Sequence, residues 1–462
     1  MSCPFVNGEQ IVAVTIKPTL RPDPTIGARI FIYDQTFLWT DEHLAPTQLN
    51  EWRTHGDPLI DAFFQQHGEQ FQDGDDTYEI LKQSNDEIRQ RPIWFNREQI
   101  QRGQHFFLKN SSIALTSIFH YTLLIGYGFQ QLNDVLMKTQ YVSSTDLSLS
   151  HRRLVETLQM ITTAVCGDVD DFEQTFADVL RVRLLHGMLR YKLLKQQHTL
   201  APHIPINQED LLITLLGFSF SVLYCMEERM HMPISDDDKH AYLHLWRYIG
   251  WVIGIDDDHL IYLSSYRLAR VISESIFYHF YLPSPTSRHL VHHSLIAVYT
   301  HTIAPMSLHF YLGVTQFLMG DGFSRALDID QPHVDALHVY AIRLLFQLFR
   351  FTRWLANLDN ATVSRWIIKR SRQRLIYVVS TVLNNQLCNF ARFRSYEASS
   401  RTSQLGPLRD CPCGYYQKKQ HGMIKTHDIG LFRVRHPVPF LRHSLLLFAL
   451  AIVIRCCTAM LS

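Results

Sequence analysis

Helical periodicity runs with few interruptions from about residue 76 to residue 390. Apolar side chains recur there every three or four positions, and several segments open with a capping Ser, Asn or Asp. Residues 1–75 instead carry short alternating and β-branched stretches around turn residues. The pattern predicts an all-α protein with an N-terminal arm (1–75), a helical domain (76–390), a linker (391–437) and an apolar C-terminal segment (438–462).

The strongest helical segments are delimited by their caps and their apolar spacing. Asn207 and Ser235 each precede acidic residues, which are favoured in the first turn of a helix. The predicted helices are Ser111–Asp134, Thr145–Val165, Asp170–Gln197, a helix from Asn207 to Met226, a helix from Ser235 to Gly254, and then Asp257–Tyr281, His289–Met319, Val334–Leu358 and Ser371–Phe390.

Composition limits the classes of function that remain. Of 462 residues, 44 are Lys or Arg and 43 are Asp or Glu, so the net charge is +1 and binding to nucleic acid is disfavoured. The eight cysteines stand singly or in tight pairs, which indicates a reducing compartment rather than a disulfide framework. Residues 1–10 lack the basic start and apolar run of a secretory signal.

The predicted helix Asp170–Gln197 has an unusual face. Its stripe begins apolar and becomes cationic at spacings of three or four, through Phe172, Phe176, Val179, Arg183, His186 and Arg190. Two buried guanidinium groups beside an imidazole favour an anion or a metal at that place. The alternative is that the arginines reach solvent and His186 is an ordinary core residue. Gly187 would let a flat ligand approach this helix closely.

A Lys-Thr pair lies at the end of the apolar stretch that starts at Ser111. Lys138 and Thr139 follow apolar residues there, and a lysine at such a place normally interacts with the C-terminal end of the helix dipole. If its side chain entered a buried pocket instead, the desolvated amine could bind iron. The neighbouring hydroxyl could then hydrogen-bond a bound ligand.

The segment from His443 to Leu461 is nearly all apolar and is interrupted by Arg455. A spanning helix needs about 20 apolar residues, so this segment fits either a membrane anchor or a buried or interfacial helix. Basic residues before it and the Cys456–Cys457 pair, a candidate palmitoylation site, fit a tail at the cytosolic face of a membrane. We therefore expect membrane association at a cytosolic face, with a cytoplasmic protein as the alternative.

Six short motifs occur in an order that matches one family. They are Gly56-Asp57-Pro58-Leu59, Trp94 with Arg102-Gly103-Gln104, Arg152 to Thr157, Arg181 to His186, Pro205 to Asp210, and Leu245 to Trp251. Together they resemble the catalytic domain shared by the ER-bound oxygenase MpaB and the rubber oxygenase, or latex clearing protein. The resemblance covers roughly residues 56–319.

The resemblance implies a globin-like helical fold that holds one haem b and cleaves an isoprenoid C=C bond with O2. In the rubber oxygenase the proximal iron ligand lies in an Arg-x-x-His-x-x-x-Arg pattern, which Arg183, His186 and Arg190 match. His186 is thus the implied iron ligand, with both arginines near the haem propionates. The distal Lys-Thr pair of that enzyme is similar to Lys138, a second implied iron ligand, and Thr139, which would orient oxygen.

The family's distal glutamate has no counterpart here, because no acid lies between Lys109 and Asp134. His120 could replace it as a base. The resemblance therefore supports haem and fold more firmly than rubber as a substrate. We expect a small lipophilic alkene and O2 as reactants, in an apolar channel walled by Phe119, Tyr121, Leu124 and Tyr127.

Three alternatives stay open from the sequence. A non-haem di-iron protein would use Glu228-x-x-His231 and the imperfect copy from Asp256 to His259. A zinc enzyme could use His240 and His244, although the His-Glu-x-x-His motif is missing. The third is a catalytically inactive, membrane-associated member of the same fold.

Two further groups of residues have both an ordinary and a functional interpretation. A basic run is either a solvated helix face or a contact for anionic lipid headgroups, and comprises Arg365, Lys369, Arg370, Arg372 and Arg374. Cys411, Cys413, Cys456 and Cys457 supply four thiols for a zinc site, but their spacing is not a standard one.

Overall fold

The computed structural model describes residues 5–6, 9–13, 23–68, 90–139, 147–196, 203–301, 307–329, 336–357 and 361–382. The predicted linker, the apolar C-terminal segment and the four cysteines from Cys411 to Cys457 lie outside these residues. The division of the chain into four segments therefore stays a prediction.

Helices form most of the described chain. They are α1 (Pro46–Trp52), α2 (Pro58–His67), α3 (Arg97–Lys109), α4 (Ser111–Gly126), α5 (Gln130–Thr139), α6 (Leu147–Cys166), α7 (Ala177–Gln196), α8 (Gln208–Arg229), α9 (Asp236–Ile253), α10 (Tyr266–Phe280), α11 (Pro285–His301), α12 (Leu308–Met319), α13 (Ala336–Ala356) and α14 (Ala361–Val382). Shorter turns of helix occur at Phe172–Thr175, Asp257–Leu260, Ile261–Ser264 and Asp321–Ala326. The predicted all-α fold is confirmed.

A small sheet accompanies the helices at the N-terminal end. Its strands are β1 (Phe5–Val6), β2 (Glu9–Ala13), β3 (Arg29–Ile32) and β4 (Gln35–Leu38), in that spatial order. β2 and β3 run parallel, with Ile11 opposite Arg29, and the other two pairs are antiparallel. Buried side chains of β3 and β4 pack on the helical core.

Helix α9 is the centre of the fold. All residues from 241 to 250 are buried, including Trp246 and Tyr242, so the helix is surrounded by others. Its ends follow the prediction: Ser235 Oγ accepts from the Asp238 backbone amide at 3.3 Å, and Gly254 ends the helix with a φ of +96°. The cap predicted for α8 is also present, because Asn207 Oδ1 accepts from the Asp210 amide at 2.9 Å.

Several predicted helices are longer than those in the structure. Apolar periodicity continues across a tight turn when both flanking helices bury the same side, so it hides the break. The breaks fall at Tyr127–Gly128 between α4 and α5, at Ser265 before α10, and before Ser307 at the start of α12, and α7 begins only at Ala177. The two serines mark their breaks by capping the next helix.

One helix of the described chain, α8, is long and apolar enough to cross a membrane. Of its most apolar 18-residue stretch, 72% is buried inside the fold.

Helices α2 and α7 pack closely at Gly187. A Cβ atom there would lie 2.1 Å from Cγ2 of Ile60 and 3.2 Å from Cδ2 of Phe64. The interpretation that this glycine admits a flat ligand is therefore wrong, because the space is filled by α2.

We predict that Gly187→Ala lowers the free energy of unfolding by about 1–3 kcal/mol, because the added methyl group forces α2 away from α7. Gly126→Ala is the control, since a Cβ there would meet nothing within 4 Å. Urea unfolding checks both. Equal stability of the two variants would contradict the packing described here.

Candidate functional site

A large apolar cavity lies inside the helical domain, between α4, α6, α7, α8 and α10. Its volume is about 750 Å³, which falls within the range of about 300–1,000 Å³ found for small-molecule sites. Leu, Ile, Val and aromatic side chains form most of its wall. Of the predicted wall residues, Phe119, Tyr121 and Tyr127 line it, whereas Leu124 is buried in the surrounding core.

His186, on α7, lines this cavity. Burial and the neighbouring Arg190 lower the pKa of its imidazole to about 4, so the ring is neutral at physiological pH. Its Nδ1 is buried and has no hydrogen-bond partner among the residues that the structure describes. A neutral imidazole with one ring nitrogen free of hydrogen bonds is a competent metal ligand.

The two arginines of the same helix are bound to α2 instead. Nε and Nη2 of Arg183 donate to the two carboxylate oxygens of Asp57 at 2.6 and 2.9 Å. Nε of Arg190 donates to Oδ1 of Asp61 at 2.7 Å, and its Nη1 donates to the backbone oxygen of Ile206 at 2.6 Å. We call these two ion pairs the arginine–aspartate clamp.

The clamp corrects the role that the sequence suggested for both arginines. Neither lines the cavity, and each guanidinium group has a carboxylate partner in the protein. Their burial therefore requires no bound anion, and the structure does not support Arg183 and Arg190 as partners of haem propionates. The acids that satisfy them lie more than 120 positions earlier in the chain, where helical periodicity on α7 gives no information.

The two residues of the predicted Lys-Thr pair, at the end of α5, have different surroundings. Thr139 lines the cavity, and its hydroxyl donates to the Val135 backbone oxygen at 2.8 Å. Lys138 is exposed and is not a lining residue. The structure thus brings Thr139, but not Lys138, into one cavity with His186, and it does not support Lys138 as an iron ligand. The exposed lysine at a helix C-terminus agrees with the electrostatic alternative.

His120 faces away from the cavity. Its Nδ1 lies 2.8 Å from Oγ1 of Thr315 on α12, and its ring packs against Phe119 and Tyr311. Burial lowers the pKa of this imidazole to about 3. The expectation that His120 replaces the family's distal acid is not supported, because His120 does not line the cavity and its imidazole contacts Thr315 and Tyr311 of α12.

Sequence analysis missed an acid that does line the cavity. Asp210, in the first turn of α8, is 4% exposed, and its Oδ1 is buried without a hydrogen-bond partner within the described residues. Its Oδ2 accepts from the Asn207 backbone amide at 3.3 Å. The sequence showed this residue as a favourable charge at a helix N-terminus, and only the fold places it in the same cavity as His186.

Glu209 lies beside Asp210 and is fully buried. Its Oε2 accepts from Gln131 at 3.4 Å and lies 3.9 Å from Nε of Arg53. Burial, together with the repulsion between the two carboxylates, holds the pKa of Glu209 well above its usual value, and burial also raises the pKa of Asp210. The pair therefore retains protons in the folded protein that the unfolded chain releases.

A second group of polar side chains lines the cavity near the sheet. Glu274 is held by Nε of Arg270 at 2.7 Å and by Nε2 of His43 at 3.2 Å. Nearby, Gln35 donates to the hydroxyl of Tyr121 at 3.1 Å. All of these carboxylate and amide groups have protein partners, so this part of the wall is polar but already satisfied.

Two stacked histidines form another polar part of the wall. The rings of His151 on α6 and His301 on α11 lie 4.9 Å apart with an angle of 14° between them, and both line the cavity. Burial and the neighbouring His301 lower the pKa of His151 to about 4. The sequence gave no sign of this pair, because its members are separated by many helices.

The residues of the predicted di-iron and zinc patterns do not come together in a metal site within the described chain. Glu228 and His231 are exposed on the surface, and Nε2 of His244 accepts from the Asn96 backbone amide at 3.2 Å. Across the part of the chain that the structure describes, no three His, Cys, Asp or Glu side chains lie close enough together to hold a metal ion. The described residues therefore provide no di-iron or zinc ligand set.

Comparison with known proteins identifies the family. The model of the family described as "ER-bound oxygenase mpaB/B'/Rubber oxygenase, catalytic domain" matches residues 121–354, just over half of the chain. The chain belongs to this family. The match contains α7 with His186 and most of the cavity wall, and the family consists of oxygenases.

A solved structure supports the same fold. The chain is similar to the structure titled "Structure of Latex Clearing Protein LCP in the closed state", with a TM-score of 0.50 and 16% sequence identity. The similarity covers 70% of this chain and 89% of that one. No curated protein matched the sequence. At 16% identity this likeness shows the helical fold of the chain and not its substrate.

We predict that the raised pKa of Glu209 makes stability depend on pH. The free energy of unfolding falls as pH rises from the ordinary pKa of a glutamate, about 4.3, through neutrality, because the unfolded chain then releases a proton that the folded chain keeps. Glu209→Gln removes this part of the slope. Urea unfolding at about pH 5 and about pH 8 measures it.

Glu98→Gln, an exposed position on α3, is the control and leaves the slope unchanged. A slope that is the same in wild type and Glu209→Gln would show that Glu209 is ionised in the folded protein.

Proposed function

We propose that this chain is a haem b-dependent oxygenase that cleaves or oxidises a C=C bond of a prenyl or other small lipophilic substrate with O2. The observation that carries the proposal is His186, a neutral imidazole with an unpaired Nδ1 on the wall of a large apolar cavity. Membership of an oxygenase family supports the class of reaction.

The residues present fit a haem at this place. The imidazole of His186 would supply a ligand for haem iron, and the Leu, Ile and Phe side chains around it would supply apolar walls for a porphyrin. The arginine–aspartate clamp is already occupied, so the propionates need other partners than Arg183 and Arg190.

The chain's own residues would then bind and orient the reactants and exclude water from around them. A bound haem would supply the activation of O2. His186 would hold the iron from α7, while Phe119, Leu158 and Phe277 line a space that would exclude water and position an alkene by its shape. The apolar wall also explains the substrate class, because a charged substrate would lose its hydration without gaining partners.

Asp210 would act as the base inside this wall, taking a proton from the alkene and returning it, because cleavage of a C=C bond by O2 to two carbonyl groups consumes no proton overall. Its Oδ1 is the buried oxygen without a partner, and its pKa is raised by burial, so the carboxyl group can be protonated closer to neutral pH than an ordinary aspartate. It would thus take the place of the distal acid that the sequence lacks on α4.

The first test is the visible spectrum of purified protein with pyridine-haemochrome quantitation. We expect near-stoichiometric haem with a Soret band in wild type, loss of that band in folded His186→Ala, and no change in Lys138→Ala, whose side chain is exposed. Circular dichroism confirms folding. Wild-type protein that stays colourless after haem reconstitution, or a Soret band that survives in His186→Ala, would contradict the assignment.

The second test concerns Asp210. We predict that Asp210→Asn lowers O2-dependent product formation from a lipophilic prenyl alkene by about 100-fold or more and leaves haem content unchanged. Glu209→Gln, equally buried but outside the cavity lining, is the matched control and retains turnover. Equal activities of Asp210→Asn and wild type would remove Asp210 from the mechanism.

Haem-loaded wild type that forms no product would favour a catalytically inactive member of the fold.

Membrane association through residues 438–462, at the endoplasmic reticulum or elsewhere, is proposed from the sequence alone.

A further inference from the structure

Helices α13 and α14 present an outer surface of one charge sign. The 22 residues of α14 contain five Lys or Arg and no Asp or Glu. α13 has no acid either, and of its three arginines Arg343 is exposed, whereas Arg350 and Arg353 are half-buried and donate to backbone oxygens of the fold. The five cations of α14 all have exposed side chains: Arg365, Lys369, Arg370, Arg372 and Arg374. An ordinary solvated helix of a protein with a net charge of +1 carries both signs.

Helix α13, which packs against α14, exposes large aromatic side chains. On α13, Tyr340, Phe351 and Trp354 are 58%, 47% and 58% exposed, and their spacing of eleven and three places them on one face. The opposite face of that helix, with Ile342 and Phe346, is buried in the core. The exposed aromatics are therefore not needed to hold α13 in the fold.

The apolar and cationic groups meet on α14. Ile376 and Tyr377 are 51% and 65% exposed, within two or three positions of Arg374. The guanidinium carbon of Arg370 lies 5.7 Å from the ring centroid of Trp366. Apolar rings beside Lys and Arg are the combination that inserts into the headgroup region of an anionic bilayer.

The internal cavity reaches this surface. Val378 lines the cavity and is also 37% exposed, one residue after Tyr377. A lipophilic molecule dissolved in a membrane against α14 would thus have a short path into the protein.

We propose that the outer surface of α13 and α14 binds an anionic lipid bilayer and places the cavity opening beside Val378 at the membrane. The binding is independent of the proposed function, and the passage of substrate through this opening rests on it. A bilayer fits better than nucleic acid, because the exposed aromatic and aliphatic side chains need an apolar phase and the net charge of the chain is close to zero.

The test uses the full chain and sedimentation with vesicles of phosphatidylcholine alone or mixed with phosphatidylserine. We expect wild type to bind the mixed vesicles about tenfold more tightly or better, with binding weakened by salt. A charge variant should partition into the mixed vesicles about tenfold more weakly or worse. It combines Arg365→Gln, Lys369→Gln, Arg370→Gln and Arg374→Gln. Phe351→Ser with Trp354→Ser should weaken binding to both kinds of vesicle.

The control removes four exposed cations from other surfaces: Arg91, Arg97, Arg102 and Arg267, each replaced by Gln. Melting temperatures establish that all variants are folded. The proposal is overturned if wild type binds both kinds of vesicle equally well. It is also overturned if the control variant loses as much binding as the charge variant. Unchanged binding of the charge variant means that another part of the chain binds the bilayer instead, which also overturns the proposal.

Discussion

The arginine–aspartate clamp between α7 and α2 is the interaction on which the site depends. Arg190 is 1% exposed and the side chain of Asp57 is 3% exposed, so an unpaired charge at either place would be costly. The clamp fixes the rotation of α7 about its axis. With about 100° between successive residues, Arg183, Gly187 and Arg190 then face α2, while Val182, His186 and Leu189 face the cavity.

This division of one helix explains the character of the site. Its ionic groups are used on the α2 side to hold the helix, and the cavity side keeps a single neutral imidazole among apolar neighbours. The remaining polar groups of the wall, such as Glu274 and Gln35, already have protein partners, whereas Oδ1 of Asp210 does not. The chain thus offers an apolar space in which few groups could bind a ligand or hold a proton: His186, Asp210 and the stacked pair of His151 and His301.

Local signals in the sequence predicted local structure well. The all-α class, the caps at Asn207 and Ser235, and the end of α9 at Gly254 depend on residues close together in the chain, and all are present. Contacts between helices that are distant in the chain determine three other features. These are the partner of Arg183, the side of α4 on which His120 lies, and the position of Asp210 in the cavity wall. Periodicity on one helix cannot supply them, which is why the stripe on α7 suggested a bound anion where the fold provides aspartates.

The most direct test of this account is a double-mutant cycle of Arg183→Met and Asp57→Asn, read as the free energy of unfolding. If the pair holds α7 against α2, the two substitutions are coupled by about 1.5 kcal/mol or more, because each single variant leaves a buried polar group without its partner. Additive effects, within about 0.5 kcal/mol, would contradict the clamp and return Arg183 to the role of a ligand-binding residue.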